Sequence, residues 1–301
     1  MFSRALLLSC GLLAACGRDL GTSPEETAPS ELADSAPTGM SVTRTARIPG
    51  NAHTRNPNGI GPHGGPLLTG TTGVYFIWYG NWAGSLAPVL LPELAHGLGG
   101  SDYFNINTTY FDPGGVPVRN AVEFRGAATD LYSHGKNLSD ADVQEVVSQA
   151  LHAGKFAADS EAVYFVLSSA DVAESSGFCS QYCGWHNHAK IVGDIQYAFA
   201  GNPSRCPGEC STGAASPNGD PAADSLASIV AHELEETVTD PHLDAWFSEK
   251  GRENADKCAW TYGDTYPTPN GGIANMRLGE RDFLIQQNWV NRSGGYCATR
   301  L

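Results

Sequence analysis

The sequence predicts an α+β fold, a single α/β/α domain over residues 63–301 that packs helices against a mixed β-sheet. Three observations support this class: two buried strand runs, helices with clear start and stop signals around them, and six cysteines that can tie the loops together. The chain of 301 residues is 41% hydrophobic and 17% charged, which is typical of a protein that buries a core.

Strands are predicted in four segments. An unbroken β-branched and aromatic run between glycines indicates a buried strand at 74–79, and EAVYFVLSS at 161–169 indicates a second. VPVRNAVEFRG at 116–126 is predicted as a third strand. DIQYAFAG at 194–201 alternates apolar residues with polar or small ones, which favours a half-exposed, antiparallel edge strand.

Helices are predicted in three segments. APVLLPELAHGLGG at 87–100 is interpreted as a short helix. Ser139 can cap a helix with core-facing valines that ends at Gly154. Asp220 can cap a longer helix that has Pro221 at its first position and runs to about Asp240.

The last of these helices contains the stretch AHELEETVTDPH, residues 231–242, which has the HExxE pattern. His232 and Glu236 lie one turn apart, about 40° around the helix, so both can bind one ion, and Asp240 continues the row. Glu233 is placed to act as a general base toward a metal-bound water, as in zinc proteases of the zincin class. The competing interpretation is an acidic surface helix in which His232 hydrogen-bonds Glu236.

A metal site needs a third protein ligand, and two residues compete for that role. Glu253, seventeen residues after Glu236, is preferred, with Asp256 orienting a ligand from outside the coordination sphere. His242 is the alternative, because it follows His232 by ten residues, the spacing of the third histidine in one zincin group.

The predicted ligand set indicates which metal is expected. One histidine and two carboxylates neutralise a dication and leave it a weaker Lewis acid than two histidines and one carboxylate would. The set also shifts the preference toward harder ions, but zinc remains the first expectation, with manganese or calcium as alternatives.

The order of elements is also that of a zincin-like domain, with helix, strand and edge strand preceding an active-site helix. An edge strand there could pair with an extended substrate chain. His186 and His188, in YCGWHNH, are predicted on a loop just before that strand, as candidate contacts to substrate or transition state.

The N-terminus predicts export. Residues 1–15 have the short apolar run of a signal peptide, and Leu13-Ala14-Ala15-Cys16 resembles a lipobox with Cys16 as the acylated residue. A plain secretory peptide cut near Ala15 is the alternative. Residues 16–62 are predicted as a flexible tether, so that a lipid anchor is the only contact with the membrane.

The net charge restricts the class of partner, and the cysteine count indicates disulfides. The formal charge of −14 argues against nucleic acid as a partner and favours neutral or cationic ones, metal ions included; we expect a monomer. In an exported protein an even count of cysteines favours three disulfides over zinc, with the pairing open. The six outside the N-terminal segment are Cys179, Cys183, Cys206, Cys210, Cys258 and Cys297.

Several stretches resemble the EXORDIUM, or phosphate-induced protein 1, family of plant cell-wall proteins and its bacterial relatives. They are GGPLLTG, VYFIWYGNW, FCSQYCGWH, YAFAGNPSRCPGEC, PNGDPAADSLASIVAHELEETVTDP and FLIQQNW with GGYC, and they extend over nearly all of 63–301. The resemblance implies an extracellular protein linked to growth and the cell wall, and a disulfide between Cys258 and Cys297.

Two functions are therefore expected. The first is an exported metal-dependent hydrolase, resembling a zinc metallopeptidase, acting on a peptide or cell-wall-associated substrate in the cell envelope or outside the cell. The alternative is a non-catalytic extracellular or cell-surface binding protein of the EXORDIUM type.

Overall fold

The structure is a computed structural model that describes residues 59–301. The predicted signal peptide, Cys16 and the predicted tether up to residue 58 lie outside the described residues. All described residues belong to one compact unit. Within residues 59–301, none of the helices combines the length and the apolar character that crossing a membrane requires.

The three predicted helices form, and a short fourth helix lies in a segment where none was predicted. The described residues contain four α-helices: α1 (Ala87–Leu98), α2 (Asp140–His152), α3 (Pro207–Cys210) and α4 (Pro221–Thr239). The Asp220 side chain accepts a hydrogen bond from the Ala223 N–H at 3.1 Å and so caps α4. Short 3₁₀ turns occupy Phe104–Thr109, Pro203–Arg205 and Asp256–Cys258.

The strands of residues 59–301 comprise one central sheet and several small ladders. In chain order they are β1 (Gly61–Pro62), β2 (Thr72–Tyr79), β3 (Val122–Asp130), β4 (Asn137–Leu138), β5 (Ala162–Ser168), β6 (Ala173–Glu174), β7 (Gly184–Lys190), β8 (Asp194–Gly201), β9 (Trp246–Phe247), β10 (Tyr266–Pro267), β11 (Ile273–Ala274), β12 (Met276–Leu278), β13 (Arg281–Phe283), β14 (Asn288–Val290) and β15 (Tyr296–Ala298).

The central sheet has the strand order β3-β2-β5-β8-β7. Strands β3, β2, β5 and β8 pair in parallel, and β7 pairs with β8 antiparallel at one edge, so the expected mixed sheet with an antiparallel edge strand is confirmed. Strands β2 and β5 are buried along their whole length, as their continuous apolar sequences predict.

Two strand predictions were wrong in detail. The segment predicted as the edge strand is β8, which is an inner strand buried from Ile195 onward, because its alternating small residues, alanines and a glycine, are covered on both faces of the sheet. The true edge is β7, which directly follows Cys183 in a segment predicted as a loop. The strand predicted from residue 116 begins only at Val122, because residues 116–118 pair with residues 110–112 instead, with Pro117 opposite Phe111.

Helices cover both faces of the sheet. On one face, Ile77 of β2 lies with Val146 and Ala150 of α2 around a shared pocket. On the other, Phe76 packs through Phe124 toward α1, and α1 in turn contacts α4. Since neighbouring side chains of a strand point to opposite faces, α2 and the pair α1–α4 lie on opposite sides.

Helix α4 is buried on all sides, with every residue from Ala223 to Thr239 inside the protein. It lies among the sheet, α1 and the C-terminal ladders. The interpretation of α4 as an acidic surface helix was therefore wrong. Its four acidic side chains between positions 224 and 236 are enclosed, where a carboxylate is stable only with partners.

Three disulfides tie the loops around α4. Cys258 bonds to Cys297, which confirms the pairing that the family resemblance implied. The other two bonds join the segment before β7 to the segment after β8, as Cys179–Cys206 and Cys183–Cys210.

Candidate metal centre

Five ionisable side chains meet in the interior beside α4. They come from β7 (His186), α4 (His232 and Glu236) and the segment after β9 (Glu253 and Asp256). Their side chains are between 0% and 7% exposed. A buried group of this charge density needs mutual partners or a cation.

The interatomic distances divide the cluster into two triads that share one carboxylate. His186 Nε2 lies 3.2 Å from Glu253 Oε2 and 3.9 Å from Glu236 Oε2. On the other side, His232 Nε2 lies 3.1 Å from Glu236 Oε1 and 3.7 Å from Asp256 Oδ1. Glu236 thus presents one oxygen to each histidine.

The contact between His232 and Glu236 has the spacing of metal ligands and not the geometry of a hydrogen bond. Although the two atoms are 3.1 Å apart, His232 Nε2 makes no hydrogen bond, and neither does Asp256 Oδ1. Donor atoms bound to one ion at about 2.0–2.2 Å lie roughly 3 to 3.6 Å from one another. The distance from His232 to Glu236 lies within this range, and the distance of 3.7 Å from His232 to Asp256 lies just beyond it.

Local structure explains how these residues meet. The i, i+4 spacing on α4 places His232 and Glu236 on one row, and the edge strand β7 runs beside that helix. The Asp256 N–H donates to Glu236 Oε1 at 2.9 Å, and Asn254 Nδ2 donates to the Glu235 carbonyl at 3.0 Å. These bonds hold the Glu253–Asp256 segment against the helix.

Burial and crowding shift the pKa values within the cluster. Burial, together with the nearby carboxylates, raises the pKa of Glu253 well above its usual range, and burial raises that of Glu236 despite the opposing charge of His232. Burial alone would lower the pKa of His232, but Glu236 and Asp256 raise it well above its usual range. Burial lowers the pKa of His186. Burial thus disfavours the ionised form of these carboxylates, and a bound dication would stabilise it.

Glu233 stands apart from its neighbours because neither of its carboxylate oxygens has a hydrogen-bond partner, although its side chain is buried. Burial raises the pKa of Glu233 well above its usual range, and His232 opposes that shift. The residue lines a cavity of about 10 Å³ together with Gly184, Ile229 and His232. Such a cavity has room for about one water molecule.

The structure places the remaining predicted site residues outside the centre. Asp240 accepts hydrogen bonds from the N–H groups of Asp244 and Ala245 at 2.7 and 2.6 Å and so closes the turn after α4. Burial raises its pKa to about 6. His242, the alternative third ligand, lies instead beside His188, with ring centroids 4.2 Å apart.

Sequence reasoning underestimated one residue. His186 was predicted on a loop as a substrate contact, whereas it is a fully buried member of the cluster on β7. The available signal was the His-x-His spacing after Trp185, which puts both histidines on one face of a strand. The two cysteines just before it, Cys179 and Cys183, favoured a loop interpretation and obscured this pattern.

Glu235, which the sequence left without a role, belongs to a separate buried network on the other side of α4. Its Oε2 accepts hydrogen bonds from the amides of Asn107 and, at 2.7 Å, Asn288. Burial raises the pKa of Glu235 to about 8. The network ties α4 to the 3₁₀ turn Phe104–Thr109 and to β14.

The donor set of the cluster fits a divalent transition metal. Two imidazoles and up to three carboxylates suit zinc, manganese or iron, whereas calcium prefers a shell made of oxygen atoms alone. The ligand set predicted from sequence contained one imidazole. His186 adds a second nitrogen donor, which makes calcium a less suitable ion.

Most of the chain is similar to known plant proteins. A family model described as the phosphate-induced protein 1 conserved region matches residues 60–283. Protein EXORDIUM-like 3 of Arabidopsis thaliana is 29% identical over 275 residues, covering 78% of this chain and 81% of that protein. Protein EXORDIUM-like 5 of the same plant is 28% identical over 295 residues, covering 84% and 80%. No solved structure matches the chain, so the zincin-like identity of the fold stays a prediction.

Proposed function

Because the chain belongs to the phosphate-induced protein 1 family, we propose that it is an exported binding protein of the EXORDIUM type, built around a buried divalent metal. His186, His232, Glu236, Glu253 and Asp256 would hold the ion. The observation that carries the proposal is the convergence of two buried triads that share Glu236, with the ligand atoms of each triad within 4.8 Å of one another.

The enclosure of the centre favours a structural role for the metal. Structural metal sites are closed by protein ligands, whereas catalytic sites keep a position open for water and substrate. Here the cavity beside His232 has a volume of only about 10 Å³, far below the several hundred Å³ typical of substrate pockets. The ion would join β7, α4 and the Glu253–Asp256 segment, which are distant in sequence.

The setting is supported by the disulfides. Three bridges in one domain are characteristic of proteins that fold in an oxidising compartment, outside the cytosol. Together with the predicted signal peptide, they favour a place at the cell surface or in the cell wall. The ligand would be wall material or a partner protein there.

A second candidate function, a metal-dependent hydrolase of the metallopeptidase type, is favoured by Glu233. A buried carboxylate with both oxygens unpartnered, one residue after a metal-ligand histidine, is suited to accept a proton. A bound dication would supply Lewis acidity at this place. The antiparallel edge strand β7 beside α4 agrees with the element order expected of a zincin-like domain.

Metal analysis of the purified mature protein tests the metal centre. After dialysis that retains tight sites, about one equivalent of a transition metal is expected at the centre, and His232→Ala should lose it. Less than about a tenth of an equivalent of any transition metal would overturn the proposal.

Two assays separate the binding protein from the hydrolase. The binding protein should co-sediment with insoluble cell-wall material and should leave casein intact. If the parent protein cleaves casein while Glu233→Gln keeps the metal and loses cleavage, the protein is a hydrolase and the proposed binding function is wrong.

A further inference from the structure

A second cluster of potential metal ligands lies on the β7–β8 hairpin, outside the buried centre. It consists of His188 on β7, Asp194 at the start of β8 and His242 in the turn after α4. One ligand atom from each lies within 4.8 Å of the others. His188 is two residues beyond His186 on the same strand, so it follows that residue on the same face.

The geometry directs both histidines at one carboxylate. His242 Nε2 lies 3.0 Å from Asp194 Oδ2, and His188 Nδ1 lies 3.4 Å from Asp194 Oδ1. The imidazole rings stack, with centroids 4.2 Å apart and planes inclined by 19°.

Unlike the buried centre, this cluster is accessible to solvent. The side chains of His188, Asp194 and His242 are 33%, 20% and 23% exposed. An ion could therefore enter and leave without opening the core, and water or an external ligand could complete its coordination. Two imidazoles and one carboxylate suit zinc and copper.

We propose that His188, Asp194 and His242 form a second binding site for a divalent transition metal, on the surface and of lower affinity than a closed centre. The site goes beyond the proposed function and does not depend on the buried ion. It would fasten the β7–β8 hairpin, which carries His188 and Asp194, to the turn that follows α4, which carries His242 and is distant from the hairpin in sequence.

One neighbour opposes the binding of a cation and provides a specific test. Lys190 Nζ pairs with Asp194 Oδ2 at 2.7 Å, so its charge both occupies a ligand oxygen and repels an incoming ion. The Lys190 side chain is 76% exposed, so its replacement should not disturb the fold. Lys190→Gln should therefore bind metal more tightly if Asp194 is a ligand.

The experiment is calorimetric titration of the metal-free mature protein with Zn²⁺, in a His186→Ala/His232→Ala background that removes both imidazoles of the buried centre. One binding event should survive in that background. His188→Ala and His242→Ala should each lower the zinc affinity of this event at least about 10-fold. Losing a direct ligand should cost at least as much affinity as losing a residue that only supports a ligand. Lys190→Gln should strengthen the event several-fold. His152→Ala, an exposed histidine on α2, is the control and should leave the event unchanged.

A spectroscopic measurement identifies the donors. With Cu²⁺ in the same background, electron paramagnetic resonance should show coupling to two imidazole nitrogens, reduced to one in His188→Ala and in His242→Ala. Unchanged zinc affinity in both histidine variants, or a copper spectrum that neither variant alters, would overturn the proposal. Circular dichroism of each variant checks that the fold is kept.

Discussion

His186 Nε2 lies 3.2 Å from both carboxylate oxygens of Glu253, although 67 residues separate the two in sequence. The contact joins the edge strand of the central sheet to the segment that follows β9. It makes His186 the member of the cluster whose removal tests the assembled centre most directly, because its ring comes from an element other than the HExxE helix.

His186→Ala should therefore lower the affinity of the buried centre for zinc. The expected loss is at least about 10- to 100-fold, the range for residues that only support a ligand. Competition with a chromophoric chelator measures it, with His152→Ala as the matched control. Equal affinity in parent and His186→Ala protein would remove His186 from the ligand set.

Gly184→Ala should destabilise the protein. A Cβ at this position would lie 2.7 Å from Glu233 Oε1 and 2.9 Å from both Ile229 Cγ2 and the Phe199 carbonyl oxygen. Relieving such contacts typically costs about 1–3 kcal/mol of unfolding free energy. Gly208→Ala, where a Cβ meets nothing within 4 Å, is the control. Urea denaturation of both variants gives the comparison, and equal midpoints would contradict the packing described beside β7.

Asp142→Asn should destabilise α2 at neutral pH and much less in acid. The Ser139 hydroxyl and N–H donate to the Asp142 carboxylate and hold its pKa below the usual value. A carboxyl with a lowered folded-state pKa contributes stability above its unfolded pKa and loses it as the pH falls through the folded value.

The deficit of Asp142→Asn should thus be up to about 1 kcal/mol at pH 7, as for other capping residues, and should shrink toward pH 2 to 3. Thermal unfolding across this pH range measures it. Glu145→Gln, an exposed change on the same helix, serves as the control. A deficit that grows toward acid pH would contradict the assignment.

Replacing Cys258 and Cys297 together by serine should weaken both the fold and metal binding. Removing a native disulfide typically costs about 2–5 kcal/mol. This bond also anchors the 3₁₀ turn Asp256–Cys258, so its loss should free Asp256 from the centre. The Cys179→Ser/Cys206→Ser protein is the matched control, because its lost disulfide does not anchor Asp256. It should lose stability but should lose less zinc affinity than the Cys258→Ser/Cys297→Ser protein. Equal zinc affinity in the parent and the Cys258→Ser/Cys297→Ser protein would argue against this anchoring.

Local signals predicted most of the scaffold. The caps at Ser139 and Asp220 and the continuous apolar run of β2 act within a few residues, so they were visible in sequence. Whether a strand lies at the edge or inside a sheet depends on the partners it meets, and for this reason β8 was misplaced. The same non-local dependence hid the burial of α4.

The residues of the candidate site also fall into two groups, those predicted from local spacing and those that only tertiary packing brings together. The i, i+4 relation of His232 and Glu236 follows from helix geometry, and Glu253 was expected nearby from its spacing alone. His186 could not be predicted as a neighbour of Glu253, since only the position of β7 against α4 brings the two together. The group formed by His188 and His242 depends on tertiary packing for the same reason.

The two parallel bridges, Cys179–Cys206 and Cys183–Cys210, make the β7–β8 hairpin a closed covalent loop that carries His186 three residues beyond Cys183. In a reducing cytosol these bonds would not form, and the hairpin would be fastened to its surroundings by packing alone. Oxidation on export would then precede stable metal capture. Under the proposed function, the metals available in the extracellular compartment, and not those of the cytosol, would decide which ion the mature protein carries.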